Sequence, residues 1–207
     1  TTSYYPGDDG DLQMGIPIPE NRFTDHGNGS ATDGFTGLMC VTDGNLIATK
    51  DPDFDQYRTV GDGDIDWKTA TAYVLKLNED NYLGYNDWRM PNINELKSLV
   101  NLEVASTIFP EDNPFTNLKK MYWSSTTSDQ FRGFALMLVF KEYFIHENLI
   151  HAAGEVDWSS KNWKADWVSE RYFLLPVRTS AEQGLIKLPR SGQKYSFYEG
   201  DDGDDKI

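Results

Sequence analysis

Gly84-Tyr85-Asn86-Asp87-Trp88-Arg89-Met90-Pro91-Asn92-Ile93-Asn94-Glu95-Leu96 is the stretch on which the fold turns. Pro91 and Asn92 end one extended segment and start a helix, because Asn92 with Glu95 three residues on forms a capping box with Asn as the cap. Ile93, Leu96, Leu99 and Val100 then fall on one face, at the spacing of a helix packed against a core. Upstream of it, Asp87 and Arg89 flank Trp88, and Arg89 is expected to pair with carboxylates inside the fold rather than to serve a reaction.

Moving toward the N-terminus, Asp66 is a second helix cap, and Trp67, Ala70, Val74 and Leu77 follow at helical spacing until Asn78 closes the pattern. Before that helix, residues 1–66 are rich in Asp-Gly, Asn-Gly and Gly-Asp turns, so any strands there must be short. Arg22 to Asp33 reads as a hairpin with Asn28-Gly29 at its tip. Toward the C-terminus the pattern becomes β. Tyr122 to Thr126 is a short strand, and Gly133 to Phe140 is apolar enough for a central strand covered on both faces. Tyr143 to Ile150 is expected to pair with it. Arg171 to Leu175 begins a last strand that Pro176 pushes to an edge. Residues 151–169 between them read as a loop carrying Trp158, Trp163 and Trp167. Helices followed by a run of strands make the class α+β, not a βαβ series.

The 207 residues carry 33 Asp+Glu against 19 Lys+Arg, a formal net charge of −14. The charge is unevenly placed. Residues 1–66 hold 13 acids and 3 bases, residues 67–194 hold 15 of each, and residues 195–207 hold 5 acids and 1 base. Acidity of this kind disfavours nucleic acid and anionic lipid, which need clustered Lys and Arg. It weighs less against an anionic polysaccharide, since the middle of the chain is neutral. No run approaches the ~20 apolar residues of a membrane span. The single cysteine, Cys40, rules out an intrachain disulfide and a multi-cysteine metal site.

The two acidic ends resemble each other. Ser3-Tyr4-Tyr5-Pro6-Gly7-Asp8-Asp9-Gly10-Asp11 matches Ser196-Phe197-Tyr198-Glu199-Gly200-Asp201-Asp202-Gly203-Asp204 at seven of nine positions, at a constant offset of 193. The expected organisation is an acidic lead-in over 1–20, one domain over 21–180, and over 181–207 a linker and the start of a next repeat.

Two groups of residues are candidates for binding. Asp51, Asp53 and Asp55, with a backbone carbonyl of Tyr57 and with Asp62 eleven residues after Asp51, imitate the oxygen spacing of a calcium loop. Gln56 stands where that loop wants Gly and Asp62 where it wants Glu, and a solvated acidic turn is the other reading of the same residues. Trp158, Trp163 and Trp167, with Lys161 and Asn162 between them, offer flat apolar faces among hydrogen-bonding groups, as suits a sugar ring or a partner surface. Packing onto the sheet is the alternative. His26, His146 and His151 lack metal-type spacing, and Ser124 and Ser125 lack a nucleophile elbow, so no enzyme is read from the chain.

Several of these segments together resemble one bacterial family, the C-terminal domain of the Legionella collagen-like adhesin and its relatives. They are Arg22-Phe23-Thr24-Asp25, Thr32-Asp33 with Thr36-Gly37-Leu38-Met39, Trp67 through Asn78, the stretch from Gly84 to Val100, Tyr122-Trp123-Ser124-Ser125-Thr126, and Pro176-Val177-Arg178. The resemblance implies a C-type-lectin-like fold, with two helices flanking a small twisted antiparallel sheet and long loops on one face. It further implies an exported, non-catalytic, cell-surface module that binds carbohydrate or a protein partner through that face. A structural spacer repeat of a modular surface protein, stiffened by calcium, is the alternative. In the family a Trp often stands where Cys40 does here, and the Trp-rich loop of this chain is longer than usual.

Overall fold

Asp66 caps the longest helix, Trp67–Glu79, by accepting the Thr69 amide at 2.7 Å, which satisfies one of the donors a helix start leaves open. The helix buries Trp67, Ala70, Tyr73, Val74 and Leu77. At Asn92 both halves of the capping box are made: the Asn92 side chain accepts the Glu95 amide, and the Glu95 carboxylate accepts the Asn92 amide. The helix that follows, Ile93–Ser98, turns Ile93 and Leu96 inward.

The computed structural model describes residues 12, 14–55, 59–100, 113–140, 143–145, 148–151, 156–161, 171–197 and 200–203. Its strands are β1 Phe23–Asp25, β2 Ser30–Asp33, β3 Leu38–Val41, β4 Met121–Thr127, β5 Phe134–Val139, β6 Tyr143–Ile145, β7 Asn148–His151, β8 Val156–Ser160 and β9 Val177–Thr179. With the helices Leu46–Lys50, Trp67–Glu79 and Ile93–Ser98 they make an α+β fold. The expected hairpin is β1–β2, with Phe23 opposite Asp33. Its tip uses Gly27 and Gly29 at φ 68° and 98°, and the Asn28 side chain accepts the Ser30 amide.

The strands differ from expectation in three places. Instead of one small sheet there are a four-stranded antiparallel sheet in the order β1-β2-β3-β9, a three-stranded one in the order β4-β5-β8, and the pair β6-β7. So β6 and β7 pair with each other, and β5 takes β8 as its second neighbour, with Leu136 opposite Trp158. Part of the expected loop 151–169 is therefore strand β8. It escaped the apolar pattern because its inward positions are polar: Ser159 is fully buried, as is Lys161 just beyond the strand. Third, the ladder of the last strand starts at Val177, not Arg171. Tyr172 and Phe173 make only isolated bridges to Ile65 and Tyr122, and Pro176 has no amide to continue a ladder.

β3, β4 and β5 are buried on both faces, so the core has two parts. Met39, Val41, Trp123 and Met137 face the long helix, whereas Leu38, Cys40, Tyr122 and Leu138 face Ile93, Leu96 and Leu99. Beyond β9 the chain stays on this body. Ile186 donates to Phe35 O at 2.9 Å, Leu188 packs against the second core, and the Asn94 amide group donates to Pro189 O.

Candidate functional site

The stretch from Tyr85 to Glu95 forms a frame. The Arg89 guanidinium makes two parallel bonds to the Glu95 carboxylate at 2.6 and 2.7 Å, so the capping residue of one helix also anchors the arginine before it. The Arg89 backbone exchanges both its hydrogen bonds with Val177. One residue on, Arg178 pairs with both oxygens of Asp87 and stacks 3.8 Å from the centre of the Tyr85 ring. The Arg178 contact outweighs partial burial and holds Asp87 below the usual carboxylate range. Trp67, Trp88 and Trp123 are 0–1% exposed. Each donates its indole N–H to a backbone carbonyl of another segment: Ser124, Tyr82 and Ile65 respectively.

Beside this frame, β4 ends in a polar shelf. A register shift between Trp123 and Thr127 turns consecutive hydroxyls toward different partners. Ser124 donates to Leu136 O at 2.6 Å. Ser125 and Thr126 donate to the two oxygens of Asp202, and Thr127 donates to Asp201 at 3.0 Å. The Asp202 amide returns a bond to Ser125 O. Lys161 completes the shelf: its ammonium donates to the Thr127 hydroxyl, lies 3.6 Å from Asp201, and sits 4.5 Å over the Trp67 ring.

This is a buried charge pair, with both side chains fully covered, and the charges respond differently. Burial pushes the Lys161 ammonium down to about 8, against the pull of Asp201. Burial also opposes charge on Asp201, but the Phe197 amide, the Thr127 hydroxyl and Lys161 outweigh it and hold that carboxyl below its ordinary value. Alongside runs an open groove of about 700 Å³, lined by Arg89, Asn92, Ser125, Arg190, Lys194 and Asp202 among others. The shelf thus does one thing chemically: it holds a pair of adjacent carboxylates with hydroxyl, amide and ammonium donors.

A model of one family, described as the Lcl C-terminal domain, matches residues 29–178. The chain belongs to that family. It is the family that the segments quoted above resemble, named for part of a surface adhesin-like protein. No curated protein and no solved structure matches the chain. Among the described residues no helix is long and apolar enough to cross a membrane.

Within this Lcl C-terminal domain, among the described residues, Asp51 and Asp53 are not in the group of carboxylates that meet. Asp51 turns to Lys50, Lys76 and the Tyr73 hydroxyl. Asp53 sits in the 3-10 turn Pro52–Phe54, and Tyr57 lies outside the described residues. Asp55 and Asp62 do meet, with Asp64 as the third member, their carboxylate oxygens within 4.8 Å of one another. Arg171 is a cationic partner there, 2.8 Å from Asp55 and 3.1 Å from Asp64.

Of the candidate ligand residues, Trp158 lies in β8, and Asn162, Trp163 and Trp167 lie outside the described residues. Lys161 is placed inside, on the shelf, instead of on an open loop. Thr127, Asp201 and Asp202 come together with Ser125 and Thr126 only in the folded chain. The available signal was that the Tyr-Trp-Ser-Ser-Thr motif and the repeated Gly-Asp-Asp-Gly segment both occur, but nothing local links residues 125–127 to residues 201–202.

Proposed function

We propose that the chain is a non-catalytic module of an exported surface protein, on a C-type-lectin-like plan, which binds carbohydrate or a protein partner through the loop face around residues 151–169. Family membership is the observation that carries this reading. The tryptophans add to it. Trp67, Trp88 and Trp123 are engaged in the frame, so the binding role falls to Trp158, Trp163 and Trp167, whose indoles suit sugar rings or a partner surface. The non-catalytic reading draws on the serines and the cysteine. Ser124 and Ser125 donate to Leu136 O and Asp202, and burial pushes the Cys40 thiol far above its ordinary range, away from the nucleophilic thiolate.

The test is binding of the full chain to a glycan array and its capture of surface proteins. Replacing Trp158, Trp163 and Trp167 together by Ala is expected to weaken binding at least ~10-fold with little change in melting. Unchanged binding would remove the site. An absence of binding by the unaltered chain in both assays would remove the function.

A second reading is a spacer unit stiffened by calcium in the acidic stretch before the long helix, where Asp55, Asp62 and Asp64 are the carboxylates available to an ion. The ion would have to share the carboxylates with Arg171. On this reading melting rises with added calcium as RT ln(1 + [L]/Kd) and falls back with chelator. An unchanged melting temperature retires it.

A further inference from the structure

The shelf on β4 holds a segment that the chain contains twice. Asp201 takes the Thr127 hydroxyl, the Phe197 amide and the Lys161 ammonium; Asp202 takes the Ser125 and Thr126 hydroxyls. Gly200 stands at φ 87°, and a Cβ on Gly203 would lie 2.2 Å from the Tyr195 backbone, so both positions favour glycine. At the offset of 193 the N-terminal copy has Gly7, Asp8, Asp9 and Gly10 at these four positions. The two differences are Tyr4 for Phe197 and Pro6 for Glu199. What Phe197 contributes is its backbone amide and a ring 4.8 Å from the Arg132 guanidinium, and a tyrosine keeps both. The groups of Phe197, Gly200, Asp201, Asp202 and Gly203 described above are therefore present in the N-terminal copy, whereas Gln193, which accepts the Thr127 amide, has no counterpart within residues 3–11.

We propose that the shelf is a docking site for the Gly-Asp-Asp-Gly segment as such, and that residues 3–11 of one copy of this chain dock on the shelf of a second copy. The contact joins units head to tail, with Asp8 and Asp9 taking the places of Asp201 and Asp202. Charge favours it: the incoming segment is acidic, and the shelf supplies Lys161 and three hydroxyl donors. The chain's own C-terminal copy competes as a tethered ligand at an effective concentration in the millimolar range. The contact between copies thus forms when the tethered copy leaves.

Two variants of the full chain test this. Phe197→Tyr with Glu199→Pro makes the C-terminal segment read as the N-terminal one, and it is expected to melt with the unaltered chain. Asp201→Asn with Asp202→Asn is expected to melt lower and to free the shelf. That second variant should then bind a fluorescently labelled peptide of sequence Ser3–Asp11 saturably, and at least ~10-fold more tightly than the same peptide carrying Asp8→Asn and Asp9→Asn. The proposal is overturned if the first variant melts as low as the second, if the second melts like the unaltered chain, or if the two peptides bind alike or not at all. The first variant retains its force even if the second does not fold.

Discussion

Trp123→Ala is expected to destabilise the domain by about 3–5 kcal/mol, a large part of the ~5–15 kcal/mol that holds a typical domain folded. Trp123 is fully buried, packs edge-on against Tyr172 at 4.8 Å, and lies where β4 meets the core beneath the long helix. Alanine leaves a cavity in that core and removes one of the two donors to Ile65 O, which keeps the Tyr172 amide, so the lost packing is the larger part and a lost hydrogen bond adds to it. Trp123→Phe separates the two, because it fills most of the space and lacks the N–H. Chemical denaturation of both variants measures the difference, and a phenylalanine variant as unstable as the alanine one would give the hydrogen bond the larger share.

A comparable loss is expected for Arg22→Ala, about 3–5 kcal/mol, by another mechanism. Arg22 and Asp33 make a bidentate pair at 2.8 and 2.6 Å, with both side chains at or below 1% exposure. Arg22 also reaches Ser98 O, tying the hairpin to the end of the Ile93–Ser98 helix. Removing the arginine strands a buried carboxylate, which costs more than the pair contributes when intact. Arg22→Ala with Asp33→Ala should therefore cost less than the sum of the single changes. It will not be neutral, because Asp33 also accepts the Phe35 amide and the Thr36 hydroxyl. Full additivity in denaturant melts would show that the two charges are not coupled.

What could be read along the chain were the features decided within a few residues. The Asp66 cap, the Asn92–Glu95 capping box and the Asn28-Gly29 hairpin each depend on neighbours one turn away, and all are present. β8 was illegible because Ser159 and Lys161 are buried through polar partners, which inverts the apolar alternation that marks a strand. The surroundings of the Asp51-Asp53-Asp55 run were likewise not legible from spacing. Its spacing imitates a calcium loop, but the turn at Pro52–Phe54 and the pull of Lys50, Lys76 and Tyr73 direct Asp51 elsewhere. The shelf was the least legible. Ser125 and Asp202 are 77 residues apart, and only the folded chain puts them in contact.

The shelf's grip on Asp201 underlies both the candidate site and the head-to-tail contact, and thermal melting of the unaltered chain beside Asp201→Asn, between about pH 3 and pH 7, tests it most directly. Asp201 has its pKa lowered from the ordinary 3.8. Its charge therefore contributes stability that is complete above about pH 4 and is lost as the pH falls through the lowered value. Lys161, at about 8, stays charged throughout that range. The expected result is a gap in favour of the unaltered chain at pH 7, worth about 1.5–3 kcal/mol, that narrows as the pH falls below about 4. Coincident melting at pH 7, or a gap that stays constant down to pH 3, would contradict the docking of the Gly-Asp-Asp-Gly segment on β4.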